Sequence, residues 1–135
     1  MAASYGAGSY ASTQIQSAPP LQLVVLLYDA AVRSASAAHD AMVRKDIAAR
    51  RAAVNKLMGI IAELQNSLDL ERGGAVAAQL EGIYTYLVSR LIDGVSKQDA
   101  APIAEVRQIL ETLRDAWREI ADRPAADGAA SGARP

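Results

Sequence analysis

The stretch that decides the fold is Leu64-Gln65-Asn66-Ser67-Leu68-Asp69-Leu70-Glu71-Arg72-Gly73-Gly74, together with the apolar stripe that follows it to Leu91. Apolar residues recur at helical spacing on both sides of this stretch. Two adjacent glycines sit poorly inside a helix, because each costs about 1 kcal/mol relative to alanine. We therefore predict a helical hairpin whose structural turn contains Asn66, Asp69, Gly73 and Gly74, with the next helix beginning beyond Gly74. The glycine pair also indicates special backbone dihedrals or the close approach of another backbone.

Composition narrows the fold class and the function. The chain has 135 residues, enough for one domain, and is 51% hydrophobic but only 4% aromatic, with Ala, Leu, Val and Ile dominant, which favours an all-α fold. A net charge of -1 predicts no overall attraction to nucleic acid or to anionic lipid. The absence of cysteine excludes disulfides, thiolate metal sites and thiol nucleophiles.

Neither a membrane span nor a secretory signal is expected from the hydropathy pattern. No stretch approaches the ~20 consecutive apolar residues that cross a bilayer, the nearest being Leu23–Leu27. The N-terminus lacks both the basic and the apolar region of a secretory signal. We therefore expect a cytoplasmic protein without direct membrane insertion.

Four helical segments follow one another, and their ends are clearly signalled. Pro19-Pro20 marks the start of helix 1, and a turn is expected at about residues 42–46. Asp46 and Asp99 are plausible N-caps for helices 2 and 4, while helix 3 should run from about 75 to 96. Helices joined by short turns predict an antiparallel up-and-down four-helix bundle over residues 19–123. Residues 1–18 are expected to form a flexible N-terminal segment, and residues 124–135 a disordered tail.

Few side chains suggest catalysis or metal binding. His39 is the single histidine, and position 36 is serine, so the Glu-x-x-His pairs of bundle di-metal sites are absent. Asp29, Glu63 and Glu81 lie beside apolar stripes and are interpreted as solvated or ion-paired carboxylates. We predict no catalytic residue, no metal and no cofactor; an enzyme would require an unseen pocket that perturbs Asp29 or His39.

A basic cluster occurs where helix 2 begins. Its members are Arg44, Lys45, Arg50, Arg51 and Lys56. Because no aromatic residues are interleaved and the net charge is near zero, we interpret the cluster as a solvated helix start that complements acidic neighbours. Nucleic-acid binding is not expected.

Helices 2 and 3 carry more apolar positions than one core-facing stripe needs. Such an excess predicts either a thicker core or a groove covered by another chain or by the protein's own terminus, and the pattern leaves both open.

Four motifs occur in order along the chain. They are Tyr10 with Ile15; Pro20-Leu21 leading into Leu26-Leu27-Tyr28-Asp29; Leu64-x-Asn66-Ser67-Leu68-Asp69-x-Glu71-x-Gly73-Gly74 with Leu80-x-x-Ile83-Tyr84-x-Tyr86-x-x-x-Arg90-Leu91; and Arg114-Asp115-x-Trp117. Over residues 10–121 this set resembles the flagellin-specific export chaperones of bacterial flagellar secretion. The chain departs from the family pattern at Ala30, Ala75 and Ile83, where Gly, Glu and Leu are usual.

The resemblance implies a cytoplasmic chaperone, not an enzyme, whose partner is the disordered C-terminal segment of flagellin. It would hold that segment along the bundle, prevent premature polymerisation and deliver it to the membrane export gate. The family also implies an N-terminal segment that caps a hydrophobic groove until flagellin displaces it, with Tyr10 and Ile15 as the cap. The candidates for the groove or its underlying core are Leu57, Ile60, Ile61, Leu64, Leu68, Ile83, Leu87, Leu91 and Trp117. The alternative is a structural bundle that associates with itself, as a homodimer, without a secreted client.

Overall fold

The chain folds into four α-helices in a computed structural model that describes residues 21–123. They are α1 (Leu21–Arg44), α2 (Ile47–Asn66), α3 (Leu70–Lys97) and α4 (Ala100–Ala121), with no strand among the described residues. The predicted all-α four-helix fold is confirmed. The predicted cap residues Tyr10 and Ile15, the Pro19-Pro20 boundary and the tail beyond residue 123 lie outside the described residues.

The helices form a closed ring in chain order, with α1 also packed against α4. Their directions follow from contacts made far apart in sequence. Tyr28, early in α1, stacks on Trp117, late in α4, and Arg90, late in α3, bonds Glu105, early in α4. Neighbouring helices therefore run antiparallel, and Tyr28 reaches across the core to Tyr84 on the diagonal helix α3.

Helix α1 is the most deeply packed element. It buries a wide arc of small side chains, among them Ala31, Ser34, Ala35, Ala38 and Ala41. Small side chains let helix backbones approach closely, and α1 accordingly lies close to both α2 and α4, whereas α3 makes far fewer close backbone approaches to its neighbours. By length and composition alone α1 would pass for a membrane-spanning helix. Part of that apolar composition is buried against α2 and α4, while Leu26 and Val43 remain exposed.

The turns α1–α2 and α3–α4 share one design. Lys45 (φ 62°) and Gln98 (φ 53°) adopt the left-handed conformation just after each helix. The next residue, Asp46 or Asp99, donates its backbone N–H to a carbonyl five residues back, at 2.9 Å in both turns. Its side chain then accepts from the first turn of the following helix, so both predicted N-caps are confirmed.

A close approach explains a glycine in the second of these turns. A Cβ built on Gly94 would lie 3.0 Å from Cγ1 of Ile103 and 3.1 Å from the carbonyl oxygen of Asp99. Glycine at this position therefore lets α4 start directly against the last turn of α3.

The α2–α3 turn differs from the prediction. Helix α3 begins at Leu70, before the glycine pair, because the Asp69 side chain accepts the backbone N–H of Arg72 at 3.1 Å and caps it. The chain turns at residues 67–69, and a short helical turn from Leu70 to Gly73 precedes the glycine. The expectation that the next helix begins beyond Gly74 therefore holds for the long part of α3 but not for this capped turn. Gly74 breaks α3 four residues in, with φ 54° and ψ -129°. Nothing lies within 4 Å of a Cβ built there, so dihedrals and not a close approach require glycine.

Candidate functional site

The centre of the bundle is an aromatic layer built from motif residues. The Tyr28 and Trp117 rings stack with centroids 6.5 Å apart, and the Tyr28 and Tyr84 hydroxyls share a buried hydrogen bond. Burial is the main cause that raises the pKa of both tyrosines, because the charged phenolate is poorly solvated there. These motif residues therefore define the core and are not available to a partner.

The second motif pair fastens α1 to α4. Arg118 donates to Asp29 at 2.9 Å, and the Nε of Arg114 lies 3.9 Å from the same carboxylate. The Asp29 side chain is 20% exposed. A partly buried carboxylate between two guanidinium groups is accounted for by ion pairing, which agrees with the interpretation of Asp29 from the sequence. His39, the other residue considered for catalysis, lies 3.8 Å from Asp40 on the same helix.

The nine candidate groove residues divide into two sets. Six are buried in the core: Leu57, Ile61, Leu64, Leu87, Leu91 and Trp117. Three are half-buried and pack against the core from its edge: Ile60, Leu68 and Ile83. Only the second set presents side-chain surface to a partner, and within it Ile83 lies on α3.

Observed contacts fix the orientation of α3. Tyr86 and Arg90 both reach Glu105, so their side of α3 faces α4. Seven residues return a helix to nearly the same face, which places Ile83 and Val76 on that side as well. On α4, the apolar residues Ile109, Leu113 and Ile120 follow Glu105 on its core side and pack against the core, while Gln108 and Thr112 lie on its exposed side.

Together these positions form an apolar line that we call the α3–α4 strip. Its residues are Val76, Ile83, Ile109, Leu113 and Ile120. Val76 is 57% exposed, and the other four are half-buried against the core. At 1.5 Å per residue the strip covers about 10 Å of α3, from Val76 to Ile83, and about 17 Å of α4, from Ile109 to Ile120. It is an apolar edge of the bundle that is partly open to solvent.

A polar clamp closes one end of the strip. Glu105 accepts from the Tyr86 hydroxyl at 2.6 Å and from Arg90 Nε at 2.7 Å, while Arg90 also donates to Asp93 at 3.1 Å. The hydrogen bond from Tyr86, followed by that from Arg90, lowers the pKa of Glu105. Among residues 21–123, the α3–α4 ion pairs are confined to this end, so the end near Val76 is held by apolar contact alone.

The outer surface of α3 carries very little charge. Between Gly74 and Ser89, the one fully exposed charged residue is Glu81. Gly82 and, on α2, Gly59 lie mid-helix, and nothing is within 4 Å of a Cβ built on either. Each glycine costs the helix about 1 kcal/mol relative to alanine, with no internal packing to require it. This surface suits the close approach of a second chain.

Sequence reasoning did not include four strip residues among the site candidates: Val76, Ile109, Leu113 and Ile120. A signal for them exists, since Val76, Ile83 and Arg90 are seven apart and Ile109, Leu113 and Ile120 recur at four and seven. Which flank of each stripe faces the neighbouring helix becomes clear only from the contacts at Glu105.

Comparisons with known proteins all match the same protein family. The family model described as flagellar protein FliS matches residues 1–124. The flagellar secretion chaperone FliS of Salmonella typhimurium is 32% identical over 123 residues, or 87% of this chain and 91% of the relative. FliSB of Pseudomonas aeruginosa is 32% identical over 107 residues, covering 79% and 85%. FliS of Campylobacter jejuni is 33% identical over 112 residues, covering 83% and 88%.

Proposed function

The chain belongs to the FliS family of flagellar secretion chaperones, and we propose that its client is the disordered C-terminal segment of flagellin. In this proposal the protein binds that segment in the cytoplasm, prevents premature polymerisation and delivers it to the membrane export gate. It acts by binding alone and not as an enzyme.

The observation that carries the proposal is the outer surface of α3 beside the α3–α4 strip, on which Glu81 is the one charged residue between Gly74 and Ser89. Ordering a disordered client costs about 1–2 kcal/mol per residue in backbone entropy. Burial of apolar surface offsets this cost at about 25 cal/mol per Å². A client therefore needs a long apolar surface in place of a small pocket, and the strip offers about two turns of α3 beside about three turns of α4.

The N-terminal cap belongs to the same proposal. Tyr10 and Ile15 lie in a segment too rich in Ala, Ser and Gly to build its own core. A tethered cap with two large side chains competes with the client at high effective concentration, which makes capture and release reversible. Residues 1–18 would then act as the cap and residues 19–123 as the chaperone body.

Two exposed apolar residues provide a matched test. Val76, in the strip, is 57% exposed, and Leu26, on the outward side of α1, is 61% exposed. Substitution of either by aspartate should leave the fold intact, because neither side chain lies in the core. We expect Val76→Asp to weaken binding of a flagellin C-terminal peptide by roughly ten-fold, and Leu26→Asp to leave it unchanged.

Native mass spectrometry and titration of the full chain with that peptide give the measurement. The expected product is a one-to-one complex with added helical circular dichroism. Absence of binding at tens of micromolar peptide, or equal losses for both variants, would contradict the proposal.

A second candidate is self-association through the same α3 surface. Tyr86, beside the strip, is 44% exposed, and a copy of the chain would cover it as well as a client does. A dimer that forms with increasing concentration in the absence of the peptide, and that Val76→Asp dissociates, would favour this alternative.

A further inference from the structure

The connection between α1 and α2 is a separate surface on which basic and apolar side chains alternate. We call it the basic turn and define it by Val43, Arg44, Lys45, Ile47 and Arg51. Val43 and Ile47 are among the most exposed large apolar residues described, at 62% and 56%. The Arg44 side chain is 59% exposed, and Lys45 and Arg51 are also exposed. The turn lies at one end of the bundle, away from the α3–α4 strip.

The basic residues of this turn have almost no acidic partner within the part of the chain that the structure describes. There, the one ion pair of the cluster joins Arg44 to Asp46 at 3.9 Å, near the limit of such a contact. Asp46 is already engaged as the N-cap of α2. Lys45 and Arg51 take part in none of the ion pairs found across residues 21–123. The expectation that acidic neighbours complement this cluster is therefore not met.

The cations on α2 lie close to the N-terminus of that helix. A helix N-terminus carries partial positive charge and favours acidic residues. Helix α2 has none in its first turn, while Arg50 and Arg51 follow directly in its second. Asp46, the N-cap, is the one carboxylate at this end of α2, and Arg44 lies in the last turn of α1, where a cation is favourable. Neither of these contacts engages Lys45 or Arg51, whose charges stay exposed at this end of the bundle.

We propose that the basic turn binds an acidic amphipathic helix of another protein. The exposed Val43 and Ile47 side chains would contact its apolar face, and Arg44, Lys45 and Arg51 would pair with carboxylates on either side of that face. The positive end of α2 adds to the attraction. Because this surface is separate from the strip, the partner and the client can be bound together, and the inference does not depend on flagellin being that client.

The chemistry of the turn favours a protein over the other anionic partners. It offers no aromatic side chain for stacking on bases. Two apolar side chains and a net charge of -1 also give little hold on a lipid surface. Nucleic acid and anionic vesicles therefore enter the test as competing outcomes.

The test uses the full chain and two synthetic amphipathic peptides with identical leucine positions at i, i+3, i+4 and i+7. One carries glutamates at the flanking positions and the other lysines. The variant Lys45→Glu/Arg51→Glu is compared with Arg33→Glu/Arg123→Glu, which changes the net charge equally at exposed arginines elsewhere. Thermal unfolding checks that both variants remain folded.

We expect the glutamate peptide to bind at tens of micromolar, the lysine peptide not to bind, and the affinity to fall with added salt. The basic-turn variant should lose roughly ten-fold or more, since two favourable charge pairs become repulsive, and the control variant should lose little. Failure of the glutamate peptide to bind, or an equal loss in both variants, overturns the proposal. So does tighter binding of double-stranded DNA or phosphatidylserine vesicles that the basic-turn variant abolishes.

Discussion

The hydrogen bond between Tyr28 and Tyr84 should behave as a coupled pair. Both tyrosine side chains are almost fully buried, and their hydroxyl groups form one hydrogen bond with each other across the core. In residues 21–123 no buried side-chain polar atom lacks a partner. Tyr28→Phe therefore leaves the Tyr84 hydroxyl buried without its partner, and Tyr84→Phe does the same to Tyr28.

The expected losses of stability differ between the single variants and the double variant. An unsatisfied buried hydroxyl costs about 1–3 kcal/mol, whereas replacement of both partners by apolar groups of the same shape is nearly neutral. Each single variant should thus be destabilised by about 2 kcal/mol, which lowers Tm by about 8–16 °C in a domain of this size. The double variant Tyr28→Phe/Tyr84→Phe should be destabilised by less than either single variant, which corresponds to a coupling energy above about 2 kcal/mol.

Urea unfolding of the four proteins in the cycle gives the measurement. Circular dichroism follows the helices, and fluorescence of Trp117, the single tryptophan, follows the aromatic layer. Tyr86→Phe is the control, because the Tyr86 ring is 44% exposed and its hydroxyl bonds a surface carboxylate. Additive losses in the cycle, or a control as damaging as the core variants, would refute the reasoning.

Further predictions concern the turns, the clamp and the outer surface. Lys45→Gly and Gln98→Gly should each raise the free energy of unfolding by about 0.5–1 kcal/mol, because both positions have positive φ; thermal unfolding measures the gain. Gly74→Ala should lower it by about 1–3 kcal/mol, since φ 54° with ψ -129° strains any side chain. The pKa of Glu105 is lowered from 4.5, so its contribution is present above that pH and lost as the pH falls below it; Glu105→Gln should remove this loss in unfolding curves between about pH 3 and 6. Gly82→Ala should stabilise the free protein by about 1 kcal/mol yet weaken binding of the flagellin peptide; unchanged affinity would remove the argument for close approach at this glycine.

Local chemistry explains which parts of the fold could be predicted from the sequence. An N-cap aspartate accepts a hydrogen bond from a backbone N–H only two or three residues further along the chain. Its position therefore depends on local sequence, and Asp46 and Asp99 were both predicted correctly. Asp69 provides the same signal, but the glycine pair that follows led to the prediction that the next helix begins beyond Gly74. The chain forms one helical turn after Asp69, and Gly74 then interrupts the helix. Whether the turn forms depends on the stabilisation from the Asp69 cap relative to the cost of two glycines in a helix, and the residue types alone do not determine which is larger.

The candidate site was harder to predict, for a geometric reason. Leu87 and Ile83 are both apolar, four residues apart on one helix, yet the first is fully buried and the second lies at an edge. The difference depends on which flank of α3 meets α4 and on how far apart the helices stand. Neither quantity is encoded in a single stripe, because the spacing is determined jointly by side chains on two helices.

The uneven packing around the ring has a consequence for motion. Helices α1, α2 and α4 form a tightly joined group through the small side chains of α1, while α3 is attached more loosely and is fastened to α4 by polar contacts at its Arg90–Glu105 end. Amide hydrogens in the first half of α3 should therefore exchange with solvent well before those of α1, as regions of low contact density open first. If the Arg90–Glu105 contact is what holds α3 at that end, Glu105→Gln should speed amide exchange in the second half of α3 and leave that of α1 unchanged.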